Sequence, residues 1–368
     1  MDSLSQFVLG AAIGTALLAP KIGARKAVLV GGALGTLPDL DVLIGHIDPV
    51  DNFILHRGFS HSLIIHALAA PVLGEGLRHM FQGLRDARMT AWAVVFLCLS
   101  THALLDAMTI YGTQLLWPYT HPFGVGSMFI IDPLYTIPLL VAVIWALIAG
   151  GHGRGVMRAS GLALALSTGY LGWSVVAQKI VEARADRILA ASGIVPAQRM
   201  ATPVPFTTLA WKAMVIDADG DRYFNLYMPL FGSVEVTEIH GHRRNLKTLG
   251  CGLEGTGFDR LAAFSKGYFM LREEEGKIIL ADLRMGLTPG YSFQFALRGP
   301  DGPLQPTQRV EVPRQADGDI DWLTSLIAGH PAGRSAEGPI VALADLAPAA
   351  PPKLAIAGET LGGPAPAC

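Results

Sequence analysis

Four stretches of this chain put histidine, aspartate or arginine where metal chemistry would need them. They are "LPDLD" with Asp39 and Asp41, "HRGFSHS" with His56, Arg57, Ser60, His61 and Ser62, "STHALLDAMT" with His102 and Asp106, and the region of His121 and Asp132. His102 and Asp106 are four residues apart, so on a helix they project from one face and can bind one ion together. Imidazole with carboxylate suits Zn²⁺ in particular, with Mn²⁺ or Fe²⁺ as alternatives. Two such ions a few ångströms apart would activate a water and clamp a phosphate or carbonyl oxygen. Arg57 could grip a phosphate oxygen in a bidentate fork. Each group also has a plainer reading. A lone His102–Asp106 pair could tie two helices together by a hydrogen bond, His61 could anchor a helix end, and Asp39 and Asp41 could cap a helix break. Two carboxylates that close in an apolar setting repel unless a cation or proton intervenes, and the convergence of the groups favours the metal. His66, five residues beyond His61, lies well round the helix and would at most support a ligand. His46, Asp48 and Asp51 read as ordinary loop residues.

Apolar segments must position these groups. The chain has 368 residues, 51% hydrophobic and 16% charged, with a mean hydropathy of +0.40. A soluble domain carries roughly 25% charged residues. The shortage is confined to residues 1–178. Apolar runs lie at about 7–20, 27–45, 61–77, 91–110, 128–149 and 158–178, and a spanning helix needs about 20 residues. The expectation is five to six transmembrane helices, the first being short. Its front end, "MDSLSQ", lacks the basic region of a signal peptide and reads as a retained helix. Basic loops (Lys21, Arg25 and Lys26; Arg78, Arg85 and Arg88; Arg154 and Arg158) alternate with loops at 46–60, holding one arginine, and 111–127, holding no lysine or arginine. The positive-inside rule makes the basic loops cytoplasmic. The His and Asp groups, and everything after 178, then face the outer side of a bacterial-type inner membrane.

The expected organisation is a helical membrane domain over 1–178, a helical linker over 179–200, and a small α+β or mostly-β extracytoplasmic domain over 201–345. A Pro/Ala-rich tail over 346–368 reads as disordered. "TTLAWKAMVID", "RYFNLYMPL", "GSVEVTEIH", "KGYFMLR", "KIILADLRM" and "YSFQFALR" read as strands, with helices at 256–265 and 319–328. "DADGD" lacks the glycine and glutamate positions of a calcium loop and reads as a hairpin turn. Cys98 sits in an apolar run. Cys251 and Cys368 could pair, but no spacing motif shows it. A net charge of −2 leaves no basic footprint for nucleic acid.

The motifs "LPDLD", "HRGFSHS" and "STHALLDAMTIYG" resemble the YdjM-like family of membrane-bound metal-dependent hydrolases, over about residues 1–150. The His-x-x-x-Asp spacing is more distantly similar to zinc-dependent phospholipase C and P1 nuclease. The resemblance implies a ligand set drawn from Asp39, Asp41, His56, His61, His102 and Asp106. On this basis Asp39, Asp41, His61, His102 and Asp106 are the expected metal ligands. His56 would be a ligand or general base, and Arg57 would bind the substrate anion. Ser60, Ser62, His66 and His121 would support them. The expected activity is metal-dependent hydrolysis of a phosphoester in a lipid headgroup or lipid-linked substrate. A non-catalytic scaffold or metal sensor is the alternative. A transporter fits less well, because its polar groups belong near mid-membrane and here they crowd one end.

Overall fold

A computed structural model describes residues 1–338, apart from 46, 152, 233–236, 314 and 331. The expected tail, Cys368 and the middle of "GSVEVTEIH" lie outside the described residues, as do His46 and His152. The chain divides into two compact units. The first comprises Met1–Gly45, Leu55–Val176 and Pro205–Thr208, and the second His46–Ile54, Ala177–Val204 and Leu209–Cys368.

The first unit is helical. Its helices are α1 (Ser3–Ile22), α2 (Ala24–Thr36), α4 (Leu63–Met80), α5 (Arg88–Ala107) and α6 (Pro133–Ala149), followed by the part of the 39-residue α7 (Arg154–Ser192) up to Val176; the short α3 (Pro49–Leu55), between α2 and α4 in the chain, falls in the second unit up to Ile54. Asp2 caps α1 by accepting from Ser5 N, so the helix is 20 residues long and starts before the apolar run that marks it. Three helices, α1, α5 and α7, are long and apolar enough to cross a bilayer by length and composition. The structure thus shows up to three candidate spans among the described residues, fewer than the five to six expected, with α6 a shorter apolar helix beside them. The run at 27–45 does not make one helix: α2 stops at Thr36 after 13 residues, and Pro38 starts a 3-10 turn, Leu37–Leu43. At 1.5 Å per residue, α2 is about 20 Å long, short of a ~30 Å hydrocarbon core. The α4 helix carries Glu75, Arg78 and His79 near its end, and α6 has 17 residues.

The α1 and α2 backbones touch. Gly10 and Gly14 face Gly31 and Gly35, the small-xxx-small spacing that lets helices approach closely. A Cβ on Gly31 would lie 2.2 Å from the Gly10 carbonyl oxygen, and one on Gly35 would lie 2.6 Å from that of Gln6. α5 packs on both helices of this hairpin, and α4 packs on α5.

The second unit holds two four-stranded antiparallel meanders. One runs β1 (Pro196–Pro203), β2 (Ala210–Asp217), β3 (Arg222–Pro229) and β4 (Glu238–Arg243); the other runs β5 (Phe269–Glu274), β6 (Lys277–Asp282), β7 (Gln294–Gly299) and β8 (Gly302–Val310). Helices α8 (Leu246–Leu249), α9 (Phe258–Phe264) and α10 (Asp319–Ile327) complete it. Strand alternation sorts the core. Trp211, Ala213 and Val215 of β2 pack with Ala177, Val181, Ala185 and Ile188 of α7, while Met214 and Ile216 meet Tyr268, Leu283 and Tyr291. "DADGD" is the β2–β3 hairpin turn, with Gly220 at φ +67°. β1 and β8 were not expected. They are edge strands bearing Pro196, Pro203, Pro303 and Pro306, a residue that sheets tolerate at their edges.

A polar network is buried in this unit. Glu337 accepts from Tyr227, from Asn225 Nδ2 (3.1 Å) and from His242 Nε2 (2.7 Å). Burial works against its charge, but these bonds, led by that from His242, hold its carboxyl down at about 2.

Two outcomes follow from this packing. Gly31→Leu should destabilise the protein by about 1–3 kcal/mol or more through overpacking, whereas Gly169→Ala, whose Cβ would meet nothing within 4 Å, should be neutral or slightly stabilising. Thermal melts of the detergent-purified variants check this; equal melting would sink the close-contact account. Because the folded Glu337 lies below its ordinary 4.5, its stabilising contribution is complete above about pH 4.5 and is lost as pH falls toward 2. Denaturant midpoints between pH 7 and 3 should fall less steeply for Glu337→Gln than for the parent chain.

Candidate metal centre

Three elements of the first unit bring four donors together. The 3-10 turn after α2 presents Asp39, a second 3-10 turn (Phe59–His61) presents His61, and the last turns of α5 present His102 and Asp106. One ligand atom from each lies within 4.8 Å of the others. His61 Nε2 is 3.1 Å from His102 Nε2 and 3.3 Å from Asp106 Oδ2. Asp39 Oδ1 is 3.3 Å from His102 Nε2 and 3.6 Å from His61 Nε2, and the His102–Asp106 separation is 3.7 Å. Four donors at ~2.0–2.1 Å from a tetrahedral cation stand about 3.3 Å apart, so the spacing suits an ion. His61, His102 and Asp106 are fully buried, and Asp39 is partly open to solvent.

The hydrogen bonds assign the protons. His102 Nδ1 donates to the Gly35 carbonyl at 2.6 Å, leaving Nε2 a lone pair. Ser60 Oγ gives its single proton to Asp41 Oδ2 at 2.6 Å. Its 2.9 Å contact with His61 Nδ1 is therefore accepted from an Nδ1–H, so in the neutral ring His61 Nε2 carries a lone pair as well. Two imidazole lone pairs then face each other across 3.1 Å. Asp106 Oδ2 is buried beside them without a hydrogen bond. Acceptors packed in this way in a dry interior, with Arg57 at their edge, could hold a metal ion among them.

Asp41 is not in the four-donor group. It receives His56 Nδ1 at 2.8 Å, the Arg57 backbone N–H at 3.3 Å and Ser60 Oγ. Burial opposes its charge, but the bonds from His56 and Ser60 keep its carboxyl below the usual range. It acts on His61 through Ser60. His56 also lies outside the group, its ring centroid 5.7 Å from that of His61. Arg57 adopts φ +67°, a left-handed conformation costing about 1–2 kcal/mol. Its Nε sits 3.2 Å from Asp106 Oδ2 and its Nη1 donates to Thr109 Oγ1 at 2.9 Å.

The remaining expected residues part company. Ser62 stands at the cap of α4, and its hydroxyl donates to the Trp117 carbonyl rather than to a donor of the group. His66 Nε2 contacts the Ser60 carbonyl at 2.8 Å, supporting the turn that holds His61. His121 is exposed between the rings of Tyr119 and Phe123, away from the donors. Asp132 caps α6, accepting from Leu134 N and Tyr135 N. Sequence reasoning missed Gln6, which reaches Asp106 Oδ1 at 3.2 Å and the His102 carbonyl at 3.3 Å, and the Met1 amine, which also lies against Asp106. A glutamine one turn before Gly10 in an apolar helix was the available signal.

Residues 1–181 match the family described as YdjM inner membrane protein, so the match runs past the motif-bearing residues 1–150. A protein of Bacillus subtilis (strain 168), "Uncharacterized protein YfhP", is 30% identical over 159 residues, covering 41% of this chain and 47% of its own. The chain thus spans about half the length of that curated relative. No solved structure matches.

The geometry separates two adjacent serines. Ser60→Ala should weaken Zn²⁺ binding about 10- to 100-fold, as loss of an outer hydrogen-bond partner does, while Ser62→Ala should leave it unchanged. Competition with a chromophoric chelator measures both; equal affinities would refute the role given to Ser60.

Proposed function

We propose, for a chain whose residues 1–181 belong to the YdjM inner membrane protein family, a membrane-bound metal-dependent hydrolase acting on a phosphoester. The observation that carries this reading is the opposition of the two unprotonated Nε2 atoms, with Asp39 and Asp106 completing the donor set. A divalent cation held there would supply a Lewis acid and an acidified water for attack on phosphorus. Nitrogen and carboxylate donors at tetrahedral spacing favour Zn²⁺, with Mn²⁺ or Fe²⁺ as alternatives.

The chain's own residues divide the remaining work. Asp39 is the donor open to solvent, so water and substrate approach from its side. His56 donates Nδ1–H to Asp41, which leaves its partly exposed ring able to take a proton at Nε2. Arg57, already drawn in by Asp106, offers the remaining guanidinium N–H groups to a phosphoryl oxygen. The turn bearing Asp39 exposes Leu40, Val42, Leu43 and Ile44. An apolar rim beside an anion-binding arginine suits a lipid whose headgroup carries the phosphate. On this reading the site and the second unit face the extracytoplasmic side, which the alternation of basic and non-basic loops supports.

The burial of three donors also supports a second reading. Four protein donors can close a tetrahedral zinc shell and leave no position for water, as structural zinc sites do. One experiment distinguishes the two. The detergent-purified chain is assayed for bound metal and for phospholipid hydrolysis, before and after chelation, alongside His102→Ala. The hydrolase reading expects stoichiometric metal and a loss of activity of 100-fold or more from either treatment. Bound metal without hydrolysis leaves the structural site, and activity indifferent to chelation ends the hydrolase reading.

A further inference from the structure

Fourteen residues separate Asp41 from His56, and they form a loop with a neck and a tip. The neck is in the first unit. His56 Nδ1, the Arg57 N–H and Ser60 Oγ all converge on Asp41, and Ser60 in turn fixes His61. The tip belongs to the second unit, to which His46–Ile54 are assigned although they are inserted between the site's own residues.

The tip is anchored by apolar packing and by charge. Val50 is fully buried against Leu253, Phe258 and Leu261. The fit is close enough that a Cβ on Gly257 would lie 2.8 Å from Val50 Cγ2. Phe53 stacks on Phe293 with centroids 4.3 Å apart and meets the edge of Phe264 at 4.8 Å. Arg260 of α9 pairs with both Asp48 and Asp51, and Asp48 Oδ1 accepts from Val50 N at 3.0 Å. An exposed ion pair alone contributes little, but here one guanidinium bridges two carboxylates on a segment whose apolar residues are plugged into a core.

We propose that the second unit is the holder of the metal-binding loop, with Val50, Phe53 and Arg260 as positioning residues for the donors. The inference rests on the metal reading above. The tip fixes the span of the loop, the span sets how His56, Arg57 and Ser60 close on Asp41, and Ser60 sets the tautomer and aim of His61. Residues far from the donors in sequence thereby govern affinity for the ion. The expected roles of Asp48 and Asp51 change accordingly, from ordinary loop residues to the charged half of this anchor.

The test uses the full chain in detergent with Zn²⁺ as probe, its affinity read by chelator competition. Arg260→Asp should weaken binding about tenfold, within the range seen for outer supports of metal ligands. The charge swap Arg260→Asp with Asp51→Arg should restore most of that loss, the coupling a double-mutant cycle detects. Phe53→Ala, which leaves the charges alone, should weaken binding in the same direction, and it carries the test by itself if Arg260→Asp does not melt cooperatively. Parent chain that binds no Zn²⁺ overturns the metal reading and this one with it. Parent chain that binds while folded Arg260→Asp and Phe53→Ala bind equally well overturns the holder alone, as does a swap that restores melting but not affinity.

Discussion

The α1 and α2 backbones meet at Gly10, Gly14, Gly31 and Gly35, and the first unit is arranged around that meeting. No larger side chain fits, because the atoms a Cβ would strike are backbone carbonyls and α-carbons that cannot swing aside. The last glycine of the contact, Gly35, lies one residue before the end of α2 and turns its carbonyl toward His102. One turn before Gly10, Gln6 points at the same helix end and reaches Asp106. A seam of residues with no side-chain chemistry therefore aims two of the four donors.

A third donor, His61, is aimed by a polar relay. Asp41 gathers three N–H or O–H groups, and the serine among them has one proton to give. Once that proton goes to Asp41, the histidine ring beside Ser60 has one tautomer left to it. The relay explains the density of polar groups in "HRGFSHS": one residue holds the loop closed, one approaches Asp106, one transmits the carboxylate's charge, and one faces the other donors. Such networks favour a single arrangement when every member is satisfied, and they are costly when one is missing.

The donors were legible because ionisable residues stand out in an apolar chain and because His102 and Asp106 are four apart. The division of labour between Asp39 and Asp41 was not. Two residues apart in one motif, they are chemically alike, and only the 3-10 turn decides that Asp39 faces His61 and His102 while Asp41 faces Ser60. The serines show the same limit, since Ser60 and Ser62 differ only in which way a short turn points them. The strands in the middle of each sheet were visible as β-branched and aromatic runs. β1 and β8 were hidden by their prolines and their half-exposed, polar composition. Counting spans by apolar runs failed at 27–45, where composition continues past the residue at which the helix stops.

The insertion of the loop tip into the second unit has a consequence in time. All four donors have been made once Asp106 is added, but α9 and the strand bearing Phe295 come some 150 to 190 residues later. At roughly 5–20 residues per second, that interval lasts on the order of ten to forty seconds. During synthesis the nascent chain carries its donors with the loop closed only at its neck. On the proposed holder, maturation of the centre would be a two-stage event, in which the later-made residues complete what the earlier ones have begun.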